Sequence, residues 1–237
     1  MKINNRRYIG CKTKLLDFIS SSIECFNLPK SAIFADIFAG TGVVAYHFAK
    51  KGFKTILNDT LYSNFVIYKT FFSSEKIRED VIESYLKKYN SLDCKQLKNN
   101  YFSKIYGDKY FSIGDAKKIG FIRDDIESNK INLSEREYYY LITSLLYACD
   151  KIANTVGHFE SFLSTKPEEK GIKLEKLEIE EKLPESQAYN IDANELSKII
   201  KADVVYIDPP YNARQYVNFY HVLENLARWN KPTEFEL

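Results

Sequence analysis

The fold is decided by Ser31–Asp36, which reads Ser-Ala-Ile-Phe-Ala-Asp, and by the turn Phe38–Gly42, which reads Phe-Ala-Gly-Thr-Gly. The short apolar run predicts a strand ending in a carboxylate, and the glycines predict a tight turn. A helical pattern follows, with Val44 and Phe48 on one face, and Thr55–Asp59 is again strand-like. Strand, glycine turn, helix and strand form a βαβ unit, which predicts parallel strands and an α/β fold.

Two more strands are predicted near the end of the chain. Val204–Ile207 reads as a buried strand, and Asp208-Pro209-Pro210-Tyr211 stops it, since two prolines cannot continue a ladder. A helix with apolar residues on one face follows: Phe219, Val222, Leu223 and Leu226. With a short run near 188–191, the predicted strands lie near residues 32–36, 55–59, 188–191 and 204–207.

The segment between these halves is predicted to be a helical insertion. Ser134 and Glu137 form a capping box at the start of a helix, and Asp115 is predicted to cap another. Lys166–Lys182 mixes Lys with Glu and is expected to be a solvated linker or an exposed helix. We therefore expect residues 1–60 and 186–237 to form the catalytic, cofactor-binding domain. Residues 61–185 would form a helical insertion for target recognition, beside the ligand crevice of the sheet.

Composition narrows the class of protein. The chain has 237 residues, of which 45% are hydrophobic and 28% charged, as in ordinary globular proteins. No pair of its four cysteines has the spacing of metal ligands, so no metal site is expected. Met1–Lys14 is polar and basic, and the apolar runs are too short to span a bilayer. The sequence thus predicts a soluble, cytoplasmic protein without a membrane partner.

Positive charge is concentrated at the amino end. Residues 1–60 contain nine Lys and Arg but only four Asp and Glu, although the net charge of the chain is +2. A polyanion could approach this end, and a solvated tail would give the same pattern, so charge leaves both interpretations open.

The glycine turn indicates a nucleotide-like ligand. Gly40 and Gly42 allow close approach of the backbone, and Asp59, at the end of the next strand, can accept hydrogen bonds from ribose hydroxyls. The turn departs from the dinucleotide fingerprint because Ala45 stands where a third glycine is usual. A tight turn also needs glycine for structural reasons, so this motif alone leaves the ligand open.

The tetrapeptide after the last strand has a chemistry that can be worked out. An exocyclic base amine is a poor nucleophile because its lone pair is delocalised into the ring. The Asp208 carboxylate and the Pro209 carbonyl can accept its two N–H groups and stabilise the charge that develops during attack. Pro210 holds the loop rigid, and Tyr211 offers a flat face for stacking. A duplex base must be flipped out to reach such a pocket.

Together, Asp36-x-Phe38-x-Gly40-x-Gly42 and Asp208-Pro209-Pro210-Tyr211 resemble the α-group, Dam-like DNA adenine-N6 methyltransferases of restriction–modification systems. Tyr138–Asn154 and Asp208–Leu223 are similar to type IIS modification enzymes. The resemblance implies a Rossmann-like class I methyltransferase sheet, S-adenosylmethionine as cofactor and double-stranded DNA as partner. It also implies that Asp as first residue of the tetrapeptide favours adenine. The cofactor positions that it implies are Tyr8, Lys12, Asp36, Phe38, Gly40, Gly42, Asp59 and Asp192.

One departure from the family concerns the sheet, which has seven strands in the order 3-2-1-4-5-7-6, whereas this sequence supplies about four. We expect a C-terminally truncated chain, or a second chain that supplies the missing strands, because strand four would otherwise be an apolar edge. An RNA base methyltransferase and an inactive cofactor- or DNA-binding fragment remain alternatives. Arg214 and Gln215 are candidate DNA contacts. A basic–aromatic series offers further candidates, with ordinary surface and core positions as the alternative: Lys98, Tyr101, Lys104, Tyr106, Lys109 and Tyr110.

Overall fold

The computed structural model describes residues 1–3, 6–29, 31–180, 182–210 and 216–232, with the side chains of the last range described from residue 218. In chain order its helices and strands are α1 (Leu16–Glu24), β1 (Ile33–Asp36), α2 (Val43–Lys50), β2 (Lys54–Asn58), α3 (Tyr62–Phe71), α4 (Glu79–Asn90), α5 (Tyr101–Tyr106), α6 (Ile113–Ser128), α7 (Glu135–Ile152), β3 (Ser186–Tyr189), α8 (Ala193–Ile199), β4 (Val204–Tyr206) and α9 (Tyr216–Arg228).

The four strands form one parallel sheet in the order β3-β2-β1-β4. Asp36, the last residue of β1, lies opposite Leu57 of β2 and Tyr206 of β4. All four predicted strands are confirmed, although β3 begins two residues before its predicted start. Because the strands are parallel, the turns that follow β1, β2 and β4 emerge at the same edge of the sheet.

Side-chain alternation along the strands gives the sheet two apolar faces. Phe34 packs against α1 and α2, where its ring stacks on Phe48 with 4.2 Å between centroids. The next residue, Ala35, points to the other face and packs with Ile56 and Leu196 of α8. This period of two is expected for a strand covered by helices on both sides, as in an α/β layer architecture.

Strand β4 is less buried than the sequence predicts. Val205 and the following Ile207 are 46% and 62% exposed, so the expectation of a buried strand over 204–207 is wrong. Among the described strands, β4 pairs with β1 alone and therefore lies at a sheet edge, as the sequence predicts. A second chain pairing with this edge stays a prediction.

The chain divides into two compact units. The sheet unit comprises residues 2–75 and 178–213, and the helical unit comprises residues 1, 76–177 and 214–237. Helix α3 thus belongs with the sheet, and α9 belongs with the helices. The assignment of residues 61–185 to target recognition stays a prediction.

Within the helical unit, two local expectations need correction. Helix α6 is capped by Ser112, whose side chain accepts the N–H of Asp115, so Asp115 is not the cap. Asp115 instead accepts the backbone N–H groups of Lys170 and Ile172. Residues 166–180 form neither a helix nor a fully solvated linker, because three of their apolar side chains are buried: Ile172, Leu174 and Leu177. The capping box of Ser134 and Glu137 at the start of α7 is confirmed.

A buried guanidinium ties three helices of this unit together. Arg123 of α6 is fully buried and donates to the carbonyls of Leu226 and Ala227 near the end of α9, at 2.9 and 3.2 Å. It also donates to the hydroxyl of Tyr138 on α7 and to Glu127. These bonds satisfy carbonyls that the last turn of α9 leaves without helical partners. Across the described part of the chain, no helix is both long and apolar enough to cross a membrane.

Candidate active site

The glycine turn after β1 is held on both sides of Gly40. Gly40 and Gly42 adopt φ angles of +52° and +76°, which disfavour side chains with a Cβ. The N–H of Gly40 donates to Oδ2 of Asp59 at 3.0 Å, and its carbonyl accepts the hydroxyl of Tyr68 at 2.6 Å. A methyl group on Gly40 would lie 2.9 Å from Cε1 of Tyr8, so the ring of Tyr8 lies over the turn.

Asp59 follows β2 and links the glycine turn to the start of α3. Its Oδ1 accepts the N–H of Leu61 at 2.8 Å, while Oδ2 holds Gly40. Burial raises the pKa of Asp59 to about 6, although these backbone N–H groups, the Asn64 side chain and the Arg6 charge act in the opposite direction. A half-buried carboxylate at this strand end is positioned to accept hydrogen bonds from a ligand that lies along the turn.

Asp36 is the most buried carboxyl group of the site, with 1% of its surface exposed. Burial, followed by repulsion from Asp208 and Asp59, raises its pKa to about 8. Its Oδ1 has no hydrogen-bond partner among the described residues. A buried acceptor without a donor is costly, so the site has an unused place for a donor or a cation.

Asp208 follows β4 and lies at the same edge of the sheet. Its Oδ2 is 2.7 Å from Nζ of Lys12, and both side chains are mostly shielded from solvent. Pro209 and Pro210 are exposed. Tyr211 and the predicted DNA contacts Arg214 and Gln215 lie outside the described residues. The structure thus brings together Lys12, Asp36 and Asp208 from three distant parts of the sequence.

The remaining predicted cofactor residues lie farther along the sheet edge. Phe38 is half-buried and packs on the apolar face that contains Ala35 and Leu196. Asp192 is exposed and caps α8, where its side chain accepts the N–H of Asn194 at 2.8 Å. Its carboxylate therefore has a structural role, and a contact with a ligand stays a prediction.

Two asparagines connect the ends of β2 and β3. Buried Asn58 exchanges hydrogen bonds with the backbone of Ile191, at 3.0 and 3.1 Å. Asn190 donates to the carbonyl of Asp59 at 2.7 Å. These bonds fix the loop that carries Asp192 relative to Asp59, so the two strand ends form one continuous rim.

Sequence reasoning missed the support that α3 gives this site. Asn64 and Tyr68, both fully buried, lie one helical turn apart and face the glycine turn. Their spacing of four residues on a helix that starts just after Asp59 is a signal that the sequence carries. Arg6, also missed, donates to Oδ1 of Asn64 at 2.5 Å.

The basic–aromatic series of the insertion does not form a stacking surface. Tyr106 and Tyr110 are buried, and Tyr101 and Tyr106 accept hydrogen bonds from Asn225 at 2.8 and 2.7 Å. Tyr110 donates to the carbonyl of Phe159 at 3.0 Å. Tyr106 and Tyr110 are core residues of the helical unit and Tyr101 is half-buried, whereas the lysines of the series are exposed: Lys98, Lys104 and Lys109.

Comparison with known proteins identifies the class of this fold and site. The family model for D12 class N6 adenine-specific DNA methyltransferases matches residues 8–236. The chain belongs to this family, and its parallel sheet is that of class I methyltransferases.

Several modification methylases are similar to the chain. It is 38% identical over 241 residues to modification methylase StsI of Streptococcus sanguinis, covering 96% of this chain and 37% of the relative. It is 35% identical over 251 residues to modification methylase LlaI of Lactococcus lactis subsp. lactis, covering 97% and 39%. It is 32% identical over 237 residues to type II methyltransferase M.NlaIII of Neisseria lactamica, covering 95% and 70%. The chain thus spans about two fifths of the first two relatives.

Proposed function

We propose that the protein transfers the methyl group of S-adenosylmethionine to N6 of a flipped-out adenine in double-stranded DNA, as the modification enzyme of a restriction–modification system. The observation that carries this proposal is the 2.7 Å ion pair between Asp208 and Lys12, next to Asp36 and the glycine turn. This arrangement brings the tetrapeptide, which can bind a base amine, close to the turn, which can bind the cofactor. The family and the modification methylases similar to the chain support the same activity.

The residues present fit S-adenosylmethionine. This cofactor carries an ammonium group and a sulfonium centre, and the site offers buried Asp36, whose Oδ1 has no donor among the described residues. Asp36 and the turn Phe38–Gly42 would hold the methionine part of the cofactor, and Asp59 would hold its ribose. Asp192 would bind the amine of the cofactor's own adenine, and Tyr8 and Lys12 would lie near the cofactor and the target base. When bound, the cofactor supplies an electrophilic methyl group.

Asp208 and Pro209 act on the target amine. The Asp208 carboxylate accepts one N–H and the main-chain carbonyl of Pro209 accepts the other, which favours the nucleophilic form of the nitrogen and stabilises its developing positive charge. Lys12 holds the Asp208 carboxylate at the edge of the sheet before the amine arrives. Pro210 restricts the loop, and Tyr211 stacks on the flipped base, a contact worth about 1–3 kcal/mol.

Residues other than the tetrapeptide and the cofactor residues would make the remaining contacts with DNA. Arg214 and Gln215, just after the tetrapeptide, would contact phosphate or the orphan base. Residues 61–185 would read the target sequence. The contribution of phosphate contacts can be measured from the affinity for DNA at several salt concentrations. Each phosphate that the protein neutralises makes this affinity fall more steeply with rising salt concentration.

Methyl transfer from tritiated S-adenosylmethionine to duplex DNA tests the proposal, with duplex RNA of the same sequence and adenine-free DNA as controls. We expect label in adenine-containing DNA only, recovered as N6-methyladenine after digestion. Label in RNA but not in DNA, or in cytosine, would overturn the substrate assignment. Binding of the cofactor and DNA without any label would overturn the activity.

A further inference from the structure

We infer that Asn64 and Tyr68 of α3 are positioning residues for the cofactor, since they fix the Gly40 backbone and the Tyr8 ring against which S-adenosylmethionine would bind. This inference rests on the proposed cofactor site. Neither residue is assigned to touch the cofactor, and both act through groups that are assigned to do so.

Tyr68 contacts both glycines of the turn. Its buried hydroxyl donates to the carbonyl of Gly40 at 2.6 Å. Its ring lies beside Gly42, where an added methyl group would be 3.0 Å from Cε1. Because Asp59 holds the N–H of Gly40, the two peptide groups that flank Gly40 are fixed from opposite sides. The left-handed φ of +52° at Gly40 is held by these two bonds.

Asn64 holds the ring of Tyr8, which lies over the glycine turn, through a hydrogen bond. Its Oδ1 accepts from Arg6 at 2.5 Å, and its Nδ2 donates to the Tyr8 hydroxyl at 3.4 Å. The Arg6 guanidinium also lies 5.5 Å from the centroid of the Tyr8 ring. The side chain of Asn64 hydrogen-bonds Asp59 as well. Asn64 therefore joins the Tyr8 ring and the Asp59 carboxylate, two groups that are both assigned to the proposed cofactor site.

The partners of these two side chains explain why they position a ligand rather than only stabilise the fold. The side-chain hydrogen bonds described for Asn64 and Tyr68 go to Arg6, Tyr8, Gly40 and Asp59, none of which belongs to α3. A site whose backbone and rings are already fixed binds more tightly because less freedom is lost on binding. Release of one bond should therefore weaken cofactor binding beyond any loss of stability.

Tyr68→Phe tests this inference, with Tyr110→Phe as the matched control. Each change removes one buried tyrosine hydroxyl that donates to a backbone carbonyl, to Gly40 at 2.6 Å or to Phe159 at 3.0 Å. Calorimetry with S-adenosylmethionine and thermal unfolding are measured on the whole protein. We expect both variants to lose similar stability, whereas only Tyr68→Phe binds the cofactor about two- to tenfold more weakly.

Equal cofactor affinity in Tyr68→Phe and Tyr110→Phe would overturn the inference, because Tyr68 would then be structural only. If Tyr68→Phe does not fold, Asn64→Asp is measured in the same way. It keeps the acceptor for Arg6 but loses the donor to Tyr8 and to Asp59, so unchanged affinity in that variant overturns the inference as well. Failure of the wild-type protein to bind the cofactor would contradict the proposed function instead.

Discussion

Asp36→Asn should make the protein more stable at neutral pH and at the same time weaken cofactor binding. The wild-type carboxyl is 1% exposed and lies near two other carboxylates, Asp59 and Asp208. Asparagine has nearly the same shape and carries no charge at any pH. The substitution therefore removes the cost of keeping a buried carboxyl group protonated at neutral pH, and it also removes the negative charge that the proposed ligand would draw out.

The size of the effect follows from the pKa of Asp36. Burial raises it in the folded protein to about 8, from an ordinary value of 3.8. Between these values the folded state keeps a proton that the unfolded state loses, so each pH unit lowers the free energy of unfolding by about 1.4 kcal/mol. This stabilisation is fully present below about pH 4 and is lost as the pH rises towards 8. From about pH 4 to about pH 7 the loss is about 4 kcal/mol.

The stability of the variant lacks this pH dependence. Its amide N–H group at the position of Oδ1 lowers the free energy of unfolding by about 1–3 kcal/mol if it finds no acceptor. Asp36→Asn should therefore be about 1–3 kcal/mol more stable than wild type at about pH 7, and less stable near pH 4. Urea unfolding at several pH values measures both. Parallel stability curves for the two proteins would refute the reasoning, because Asp36 would then titrate alike in both states.

The same substitution should weaken cofactor binding while it raises the stability of the protein. A cation bound beside Asp36 favours its charged form, so wild-type affinity should rise as the pH approaches 8. The loss of a charge-assisted bond should weaken binding by roughly tenfold or more. Calorimetry across the same pH range measures this effect. Tight, pH-independent binding by Asp36→Asn would remove Asp36 from the cofactor site.

Three further substitutions and one control variant test other parts of the molecule. Asp208→Asn should abolish methyl transfer but keep cofactor affinity within about threefold, and near-normal kcat would contradict its role. Gly40→Ala should bind cofactor roughly tenfold more weakly, because its methyl group would lie 2.9 Å from Tyr8. Gly171→Ala, with φ +68° and open space around it, should leave affinity unchanged. Arg123→Met should lower the free energy of unfolding by about 2–4 kcal/mol in denaturant titrations without changing cofactor affinity, since it leaves buried carbonyls unpaired.

The four strands were predictable because their signals are local, whereas their order in the sheet was an expectation from the family resemblance. An apolar run, a glycine turn and the helix face of Val44 and Phe48 determine β1, the turn and α2 with little help from distant residues. The start of α7 was predictable for the same reason, because the capping box at Ser134 is a local signal. In the structure, Asp208 lies at the same edge as the glycine turn because β1 and β4 are parallel neighbours.

Features that depend on tertiary partners were not predictable. Tyr106 and Tyr110 are buried and contact Asn225 and His221 of α9, more than a hundred residues away. The basic–aromatic spacing therefore left two interpretations open, and for these tyrosines the core alternative holds. Val205 looks like a core residue in sequence, yet its exposure depends on which strands flank β4. The spacing of Asn64 and Tyr68 places both on one face of α3, but their contacts with Tyr8 and Gly40 depend on the packing of that helix against the glycine turn.

The distribution of charge around the sheet edge connects stability with the proposed chemistry. Burial, and then repulsion from the nearby carboxylates of Asp208 and Asp59, raises the pKa of Asp36, and Lys12 forms an ion pair with Asp208. A site optimised for stability alone would replace Asp36 with a neutral residue. Retaining a buried acid whose Oδ1 lacks a donor among the described residues makes physical sense if a cationic ligand completes the site. Carboxylates at the same edge would also stabilise the positive charge that develops on the amine during transfer, so one arrangement would serve both binding and transfer.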